Sequence, residues 1–222
     1  MGFNQLARPY RWLERAVFGG RLQRARCAHM QTFLAAESIL LLGEGDGRFL
    51  EALLAAGCRA QIVCVDASPK MLDLAAQRAA GRGEEKAERA IRVRFLNGDV
   101  SDLRLPGGFR PDVVGAHFFL DCFREQELLD TAANIARWSA PGATVVITDF
   151  TVPDGGWVWR FRGHLLIFWM LFFFRIFAGI SARRLPDIHN LLINRGWNCR
   201  EKAIFDHGLI CSWILEPPHK RS

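Results

Sequence analysis

The sequence lacks several features that would assign the chain to a common class of protein. Its six cysteines, at positions 27, 58, 64, 122, 199 and 211, form no C-x-x-C pair and have no metal-binding spacing. We therefore expect buried, reduced thiols and no bound metal. No apolar stretch of signal-peptide length follows Met1, and Leu6 breaks the myristoylation pattern after Gly2. A cytoplasmic protein is expected.

Acidic residues are absent between Asp154 and Asp187, a stretch that contains the ten consecutive apolar residues Leu165 to Phe174. A helix needs about 20 apolar residues to span a bilayer, so this run is too short to cross one. It fits a helix buried against the protein core or in a dimer interface. It fits equally an interfacial helix over Trp157 to Ile180, with its apolar side in a bilayer and its arginines at anionic headgroups. Peripheral membrane contact and the oligomeric state stay open.

The length and composition of the chain favour one α/β domain. Its 222 residues are 50% hydrophobic, which is enough to bury a full core. Strand-like and helix-like stretches alternate, which predicts a mainly parallel sheet covered by helices on both faces. The predicted strands are 39–42, Gln61 to Asp66, Val93 to Asp99, Pro111 to Phe119, Ala143 to Phe150, and two within Cys199 to Phe205 and Leu209 to Leu215; helices are predicted over Glu125 to Ser139 and Leu185 to Arg195.

A glycine-rich turn follows the first strand, with glycine at positions 43, 45 and 47. Alternate glycines allow a tight turn and let backbone N–H groups approach a ligand closely. A dinucleotide-binding fingerprint requires glycine at its first, third and sixth positions. Counted from Gly43, the sixth position is Arg48. The pattern is therefore G-x-G-x-G, which indicates a different nucleotide-like ligand.

Carboxylates follow the next two predicted strands. Asp66 ends the second strand, 23 residues after Gly43, and Ser68-Pro69 then starts a helix. A carboxylate at this position can accept both hydroxyls of a ribose. Asp99 ends the third strand, where its carboxylate could bind an adenine amino group. Because the strands are parallel, these groups should meet at one edge of the sheet.

These residues resemble the motifs of class I S-adenosylmethionine (SAM) methyltransferases over about residues 39 to 150. The resemblance implies a Rossmann-like, doubly wound, mainly parallel seven-stranded sheet whose last strand is antiparallel. It also implies SAM as cofactor and S-adenosylhomocysteine (SAH) as product. We expect an N-terminal helical lid at 1–38 and a SAM-binding domain at 39–222, with an apolar insertion at 155–185. The cofactor-binding residues implied are Gly43, Glu44, Gly45, Gly47, Asp66, Ala67, Ser68, Met71, Asp99, Val100 and His117.

One position departs from the family pattern. The family usually has an acidic residue two positions before the first glycine, and this chain has Leu41 there. Glu44 and Asp46 lie inside the turn instead. We expect Glu44 to bind the amino end of the cofactor.

The resemblance also implies residues around the methyl acceptor. Related enzymes carry an aromatic N-terminal helix and an insertion that shapes the acceptor site, so we expect a small hydrophobic acceptor, quinone- or lipid-like or a thiol, methylated at O, C or S. Lid or substrate contacts are predicted at Tyr10, Trp12, Phe119, Trp157 and Phe161. His117, Asp121 and His164 are the candidate catalytic bases.

Two other functions fit parts of the sequence. A net charge of +6 and a pI near 9.3 suit a basic RNA methyltransferase. The arginines are scattered, however, and His117-Phe118-Phe119-Leu120 stands where base-amino methyltransferases have an Asn/Asp-Pro-Pro-aromatic motif, so nucleic acid is not favoured as a partner. The unusual turn at Leu41 and Glu44 suits a SAM-fold binding protein without turnover.

Overall fold

The structure is a computed structural model that describes residues 20–80, 92–153 and 185–218. Seven strands form one sheet in the order β3-β2-β1-β4-β5-β7-β6. The strands are β1 (Ser38–Leu42), β2 (Gln61–Asp66), β3 (Val93–Asn97), β4 (Val113–His117), β5 (Thr144–Phe150), β6 (Asn198–Phe205) and β7 (Ile210–Glu216). Strands β1 to β5 pair in parallel, and β7 pairs antiparallel with both β5 and β6. The predicted fold class is confirmed.

Helices cover both faces of this sheet. They are α1 (Arg21–Arg26), α2 (Met30–Leu34), α3 (Arg48–Ala55), α4 (Pro69–Ala79), α5 (Glu125–Trp138) and α6 (Ile188–Ile193). Alternate residues of β1 enter two different cores. Ile39 and Leu41 pack in the cluster that contains Phe49 of α3, whereas Leu40 and Leu42 pack in the cluster with α5 and α6. Burial on both faces explains why β1 is continuously apolar rather than alternating.

Local sequence signals account for the helix starts. Ser68 caps α4, since its Oγ accepts a hydrogen bond from the Met71 N–H at 3.3 Å, and Pro69 occupies the first helical position. Asp187 caps α6 in the same way, accepting from the Asn190 N–H at 3.2 Å. This helix is shorter than the predicted Leu185 to Arg195, because Pro186 disfavours helical geometry in the residue before it.

Two predicted strands end earlier than expected. Strand β3 ends at Asn97, so Asp99 lies in the turn that follows rather than on the strand. Strand β4 ends at His117, because Phe118 adopts a left-handed conformation with φ of 53° and the chain then enters a 3-10 turn at Leu120–Cys122. Both polar strand ends nevertheless lie at the carboxyl edge of the sheet.

Several predictions concern residues outside the described part of the chain. They include residues 1–19 of the predicted N-terminal lid and the apolar segment from Trp157 to Ile180. Of the helices in 20–80, 92–153 and 185–218, none is long and apolar enough to cross a membrane.

Candidate functional site

The glycine turn at the end of β1 contains three left-handed residues with three different surroundings. Gly43, Gly45 and Gly47 have φ of 62°, 64° and 82°. A Cβ at Gly43 would lie 2.2 Å from Cδ2 of Phe119, and one at Gly47 would lie 2.5 Å from Cα of Ala75 in α4. A Cβ at Gly45 would have no atom of the described residues within 4 Å. Two of these glycines therefore permit close packing of the protein itself, and Gly45 borders open space.

Asp66 joins the end of β2 to this turn. Its Oδ2 accepts a hydrogen bond from the Gly45 N–H at 2.9 Å, and its Oδ1 accepts one from the Ser68 N–H at 2.8 Å. Burial raises the pKa of Asp66, an effect that these two hydrogen bonds oppose. An ionised carboxylate has about four acceptor positions, so each oxygen can still accept a ligand hydroxyl. The arrangement fits the predicted ribose contact, which stays a prediction.

Glu44 holds the start of α3. Its Oε1 accepts hydrogen bonds from the N–H groups of Phe49 and Leu50, at 3.0 and 2.9 Å. These are N–H groups of the first helical turn, which have no partner within the helix. Desolvation raises the pKa of Glu44 to about 7, and the hydrogen bonds and the charge of Arg26 oppose that shift. Within the described residues, the structure gives Oε2 of Glu44 no hydrogen bond.

Asp46 attaches the other side of the turn to α4. Its Oδ2 lies 3.0 Å from Nη2 of Arg78 and 3.3 Å from Nε of Arg48. Arg78 also lies 3.1 Å from Oε2 of Glu51 in α3. The turn is thus fixed by polar contacts on both sides of Gly45.

His117 ends β4 in a buried polar row that crosses the sheet. Its Nδ1 lies 3.0 Å from Oγ1 of Thr148, which lies 2.7 Å from Oγ of Ser212. Its ring packs on Phe49 with centroids 4.5 Å apart. Burial is the largest of the effects that lower the pKa of His117 to about 3, and electrostatic interactions with Arg26 and His29 act in the same direction.

Nε2 of His117 is buried and has no hydrogen-bond partner among the described residues. An unpaired buried nitrogen is costly, so a hydrogen bond between this atom and a ligand would be favourable. Because the pKa of His117 is about 3, its ring is uncharged at pH 7. The ring therefore suits hydrogen bonding better than proton uptake.

Asp121 forms a buried pair with Asp149, a residue that the sequence analysis did not single out. Oδ2 of Asp149 accepts hydrogen bonds from the N–H groups of Leu120 and Asp121, at 3.1 and 3.2 Å. Burial raises the pKa of Asp121 to about 6 and that of Asp149 well above its usual range. Two adjacent buried carboxyls cannot both ionise readily, so the pair retains a proton.

The predicted adenine contacts lie at the ends of β2 and β3. Asp99 is exposed and its Oδ1 accepts from the Ser101 N–H at 2.8 Å, while Val100 and Met71 are buried and Ala67 is exposed. The structure therefore places them beside the Asp66 end of the edge, and their contact with adenine stays a prediction.

The remaining predicted residues are divided between the described and the undescribed parts of the chain. Phe119 covers Gly43 and makes an edge contact with Phe123, with centroids 4.9 Å apart. No group of His, Cys, Asp or Glu within the described ranges is arranged to hold a metal ion. Tyr10, Trp12, Trp157, Phe161 and His164 lie outside the described residues.

The described residues fit SAM. Among the described residues, Gly45 has open space beside it, Asp66 stands at the end of β2 where the ribose contact is predicted, and the buried Nε2 of His117 lacks a partner. A parallel sheet of this type binds its ligands at the carboxyl edge of the strands. Fold and edge together define a Rossmann-like nucleotide-binding class.

Comparisons with known proteins agree with this class. A family model described as "Methyltransferase domain" matches residues 39–142. A demethylmenaquinone methyltransferase of Thermus thermophilus is 31% identical over 156 residues, which cover 69% of this chain and 66% of that protein. Residues 39–142 thus form a methyltransferase domain, and the chain is similar to the class I SAM-dependent methyltransferases.

Solved structures share the fold at lower identity. The mitomycin 7-O-methyltransferase has a TM-score of 0.68 at 18% identity, covering 98% of this chain and 61% of that one. The magnesium protoporphyrin IX methyltransferase of Synechocystis PCC 6803, solved with bound SAH, has a TM-score of 0.60 at 18% identity, covering 92% and 85%. These neighbours agree with the predicted fold. The chain spans 66% of the Thermus relative and 61% of the mitomycin enzyme.

Proposed function

We propose that this protein transfers the methyl group of SAM to a small, hydrophobic, quinone-like acceptor. The observation that carries this proposal is the glycine turn, in which Gly45 borders open space while Asp66 fixes its N–H group. The name of the Thermus relative, a demethylmenaquinone methyltransferase, supports the quinone-like acceptor. The apolar, arginine-flanked segment from Trp157 to Ile180 supports an apolar acceptor as well, and peripheral membrane contact through this segment is part of the proposal.

The cofactor would lie along the carboxyl edge of β1, β2 and β4. Asp66 would accept the ribose hydroxyls, and the turn around Gly45 would lie along the methionine part. His117, neutral and with an unpaired Nε2, would hydrogen-bond a ligand at the end of β4. When bound, SAM supplies an activated methyl group on a sulfonium, so the protein has mainly to align the acceptor and exclude water.

Methylation of a hydroxyl or a ring carbon releases a proton, which a base must accept. Among the described candidates, Asp121 has a pKa of about 6 and His117 one of about 3. A general base works best with a pKa near the operating pH. We therefore favour Asp121, paired with Asp149, over His117 as the proton acceptor. His164 remains a further candidate outside the described residues. A thiol acceptor would need little help from any of them.

Binding and transfer can be tested with one pair of variants. Asp66→Ala should weaken SAH binding by about 1–3 kcal/mol, measured by calorimetry, because two ribose hydroxyls lose a buried acceptor. Asp130→Ala, which removes an exposed carboxylate on α5, is the matched control and should leave the affinity unchanged.

Radiolabelled SAM, offered with demethylmenaquinol, a simple phenol, a thiol and an RNA transcript, then identifies the acceptor. Transfer to the quinol is the expected result. Transfer to RNA alone, or SAH affinity that is unchanged in Asp66→Ala, would refute the proposal. Absence of turnover with intact SAH binding would favour the binding-protein alternative.

A further inference from the structure

Arg26 ends α1 beside the two strand ends that form the candidate site. Its Cζ lies 4.9 Å from the centroid of the Phe118 ring, directly after β4. Its Nη1 lies 3.4 Å from Oε1 of Gln23, one turn earlier in the helix. The side chain is half-buried. These contacts hold a cation at the carboxyl edge of the sheet.

The charge of Arg26 acts on groups from both strand ends. Desolvation has the largest effect on the pKa of Glu44 and of His117, and the positive charge of Arg26 lowers the pKa of each. Glu44 belongs to the turn after β1, and His117 ends β4. The contacts of α1 give its position: Arg26 lies over Phe118, directly after β4, and Gln23 of the same helix donates to the carbonyl of Arg48, directly after the glycine turn. The end of α1 therefore lies beside both strand ends.

Helix α1 is anchored independently of Arg26. Arg21 Nη1 lies 3.3 Å from Oδ2 of Asp206, on the connection between β6 and β7. Gln23 Nε2 donates a hydrogen bond to the carbonyl of Arg48, at the start of α3, at 3.1 Å. These contacts fix the helix over the glycine turn, so the Arg26 side chain is positioned before a ligand arrives.

We propose that Arg26 binds the carboxylate of the methionine part of SAM, an inference that rests on the proposed function. The turn after β1 would hold this part of the cofactor, and its charged end is a zwitterion. A guanidinium offers two parallel N–H donors that match a carboxylate. Glu44, whose Oε1 is engaged by the helix start, keeps Oε2 for the ammonium group. Arg26 and Glu44 would then bind the two ends of the zwitterion.

The proposal is tested by comparing two ligands. SAH carries the carboxylate, whereas decarboxylated SAH keeps the ammonium and lacks the carboxylate. Arg26→Met should weaken SAH binding by about tenfold to a hundredfold, as expected for a lost charge-assisted hydrogen bond. It should change the affinity for decarboxylated SAH less than threefold. Arg24→Met, at an exposed position of the same helix, is the matched control and should affect neither ligand.

Other outcomes separate this inference from the proposed function. If Arg26→Met weakens the binding of both ligands equally, Arg26 has a packing role on Phe118 and the inference is overturned. Unchanged binding of both ligands would overturn it as well. Arg26→Lys keeps the charge and much of the stem, and it should retain part of the preference for SAH even if the Met variant unfolds. Failure of the wild-type protein to bind SAH at all would refute the proposed function itself.

Discussion

Gly45 and Gly47 lie two residues apart in the same turn, yet their replacement by alanine should have different consequences. Both are left-handed, and an L-residue in that conformation costs about 1–2 kcal/mol. At Gly47 the new Cβ would also lie 2.5 Å from Cα of Ala75, so α3 and α4 would have to separate. Overpacking of this kind costs about 1–3 kcal/mol. Gly47→Ala should therefore destabilise the fold by about 2–5 kcal/mol.

Gly45→Ala should cost only the backbone contribution, about 1–2 kcal/mol, because no atom in the described part of the chain lies within 4 Å of the new Cβ. The same open space is where the cofactor would approach, so this variant should lose SAH affinity while it stays folded. Urea denaturation followed by circular dichroism measures the stability, and calorimetry with SAH measures the binding. Equal destabilisation by the two substitutions, or full SAH affinity in Gly45→Ala, would refute this division of roles.

Three further predictions concern titratable groups. Burial raises the pKa of Glu44 from 4.5 to about 7, so the contribution of Glu44 to the free energy of unfolding is complete below pH 4.5 and is lost as the pH rises through 7, by at most about 3 kcal/mol. Urea titrations across this range should show a flatter pH dependence of stability for Glu44→Gln than for the wild type. Parallel stability profiles of the two proteins would contradict this prediction. Asp121→Asn should slow single-turnover methyl transfer to a hydroxyl or carbon acceptor by about 100- to 10,000-fold without changing SAH affinity; an unaffected rate would exclude Asp121 as the base. Because the pKa of His117 is about 3, titration of its ring should not change the wild-type rate near pH 6.5. The pH–rate profiles of the wild type and His117→Gln should therefore have the same shape in this range. A step near pH 6.5 that is present in the wild type and absent from the variant would contradict the neutral, buried ring.

The sequence was sufficient for those features that follow from local pattern. Buried parallel strands are continuously apolar, so the residues at which the apolar run ends mark the carboxyl edge of the sheet. Gly43 and Asp66 could be located in this way. The three glycines could be placed in a turn, but their separate roles could not be predicted. Contact of Gly47 with Ala75 and of Gly43 with Phe119 joins segments that are distant in the chain.

Features that depend on long-range contacts were missed or misplaced. Asp149 lies near the end of the apolar strand β5 and could not be told from an ordinary strand residue, because its partner Asp121 lies 28 residues earlier. Strand β4 was predicted too long because nothing in the sequence marks Phe118, a residue type that rarely adopts positive φ, as left-handed. Arg26 was one arginine among many in the N-terminal segment until the fold placed it beside β1 and β4.

The flanks of the apolar insertion meet in one place. Phe150, at the end of β5, and Leu185, beyond the insertion, pack in the same small cluster with Leu209 and Ile210. The Thr151 N–H also donates to the carbonyl of Leu209 at 2.8 Å. Because the two flanks are joined to the sheet at the same point, the length and composition of the chain between them can change with little cost to the sheet. Under the proposed function, changes in this segment would alter the choice of acceptor and leave the cofactor edge as it is.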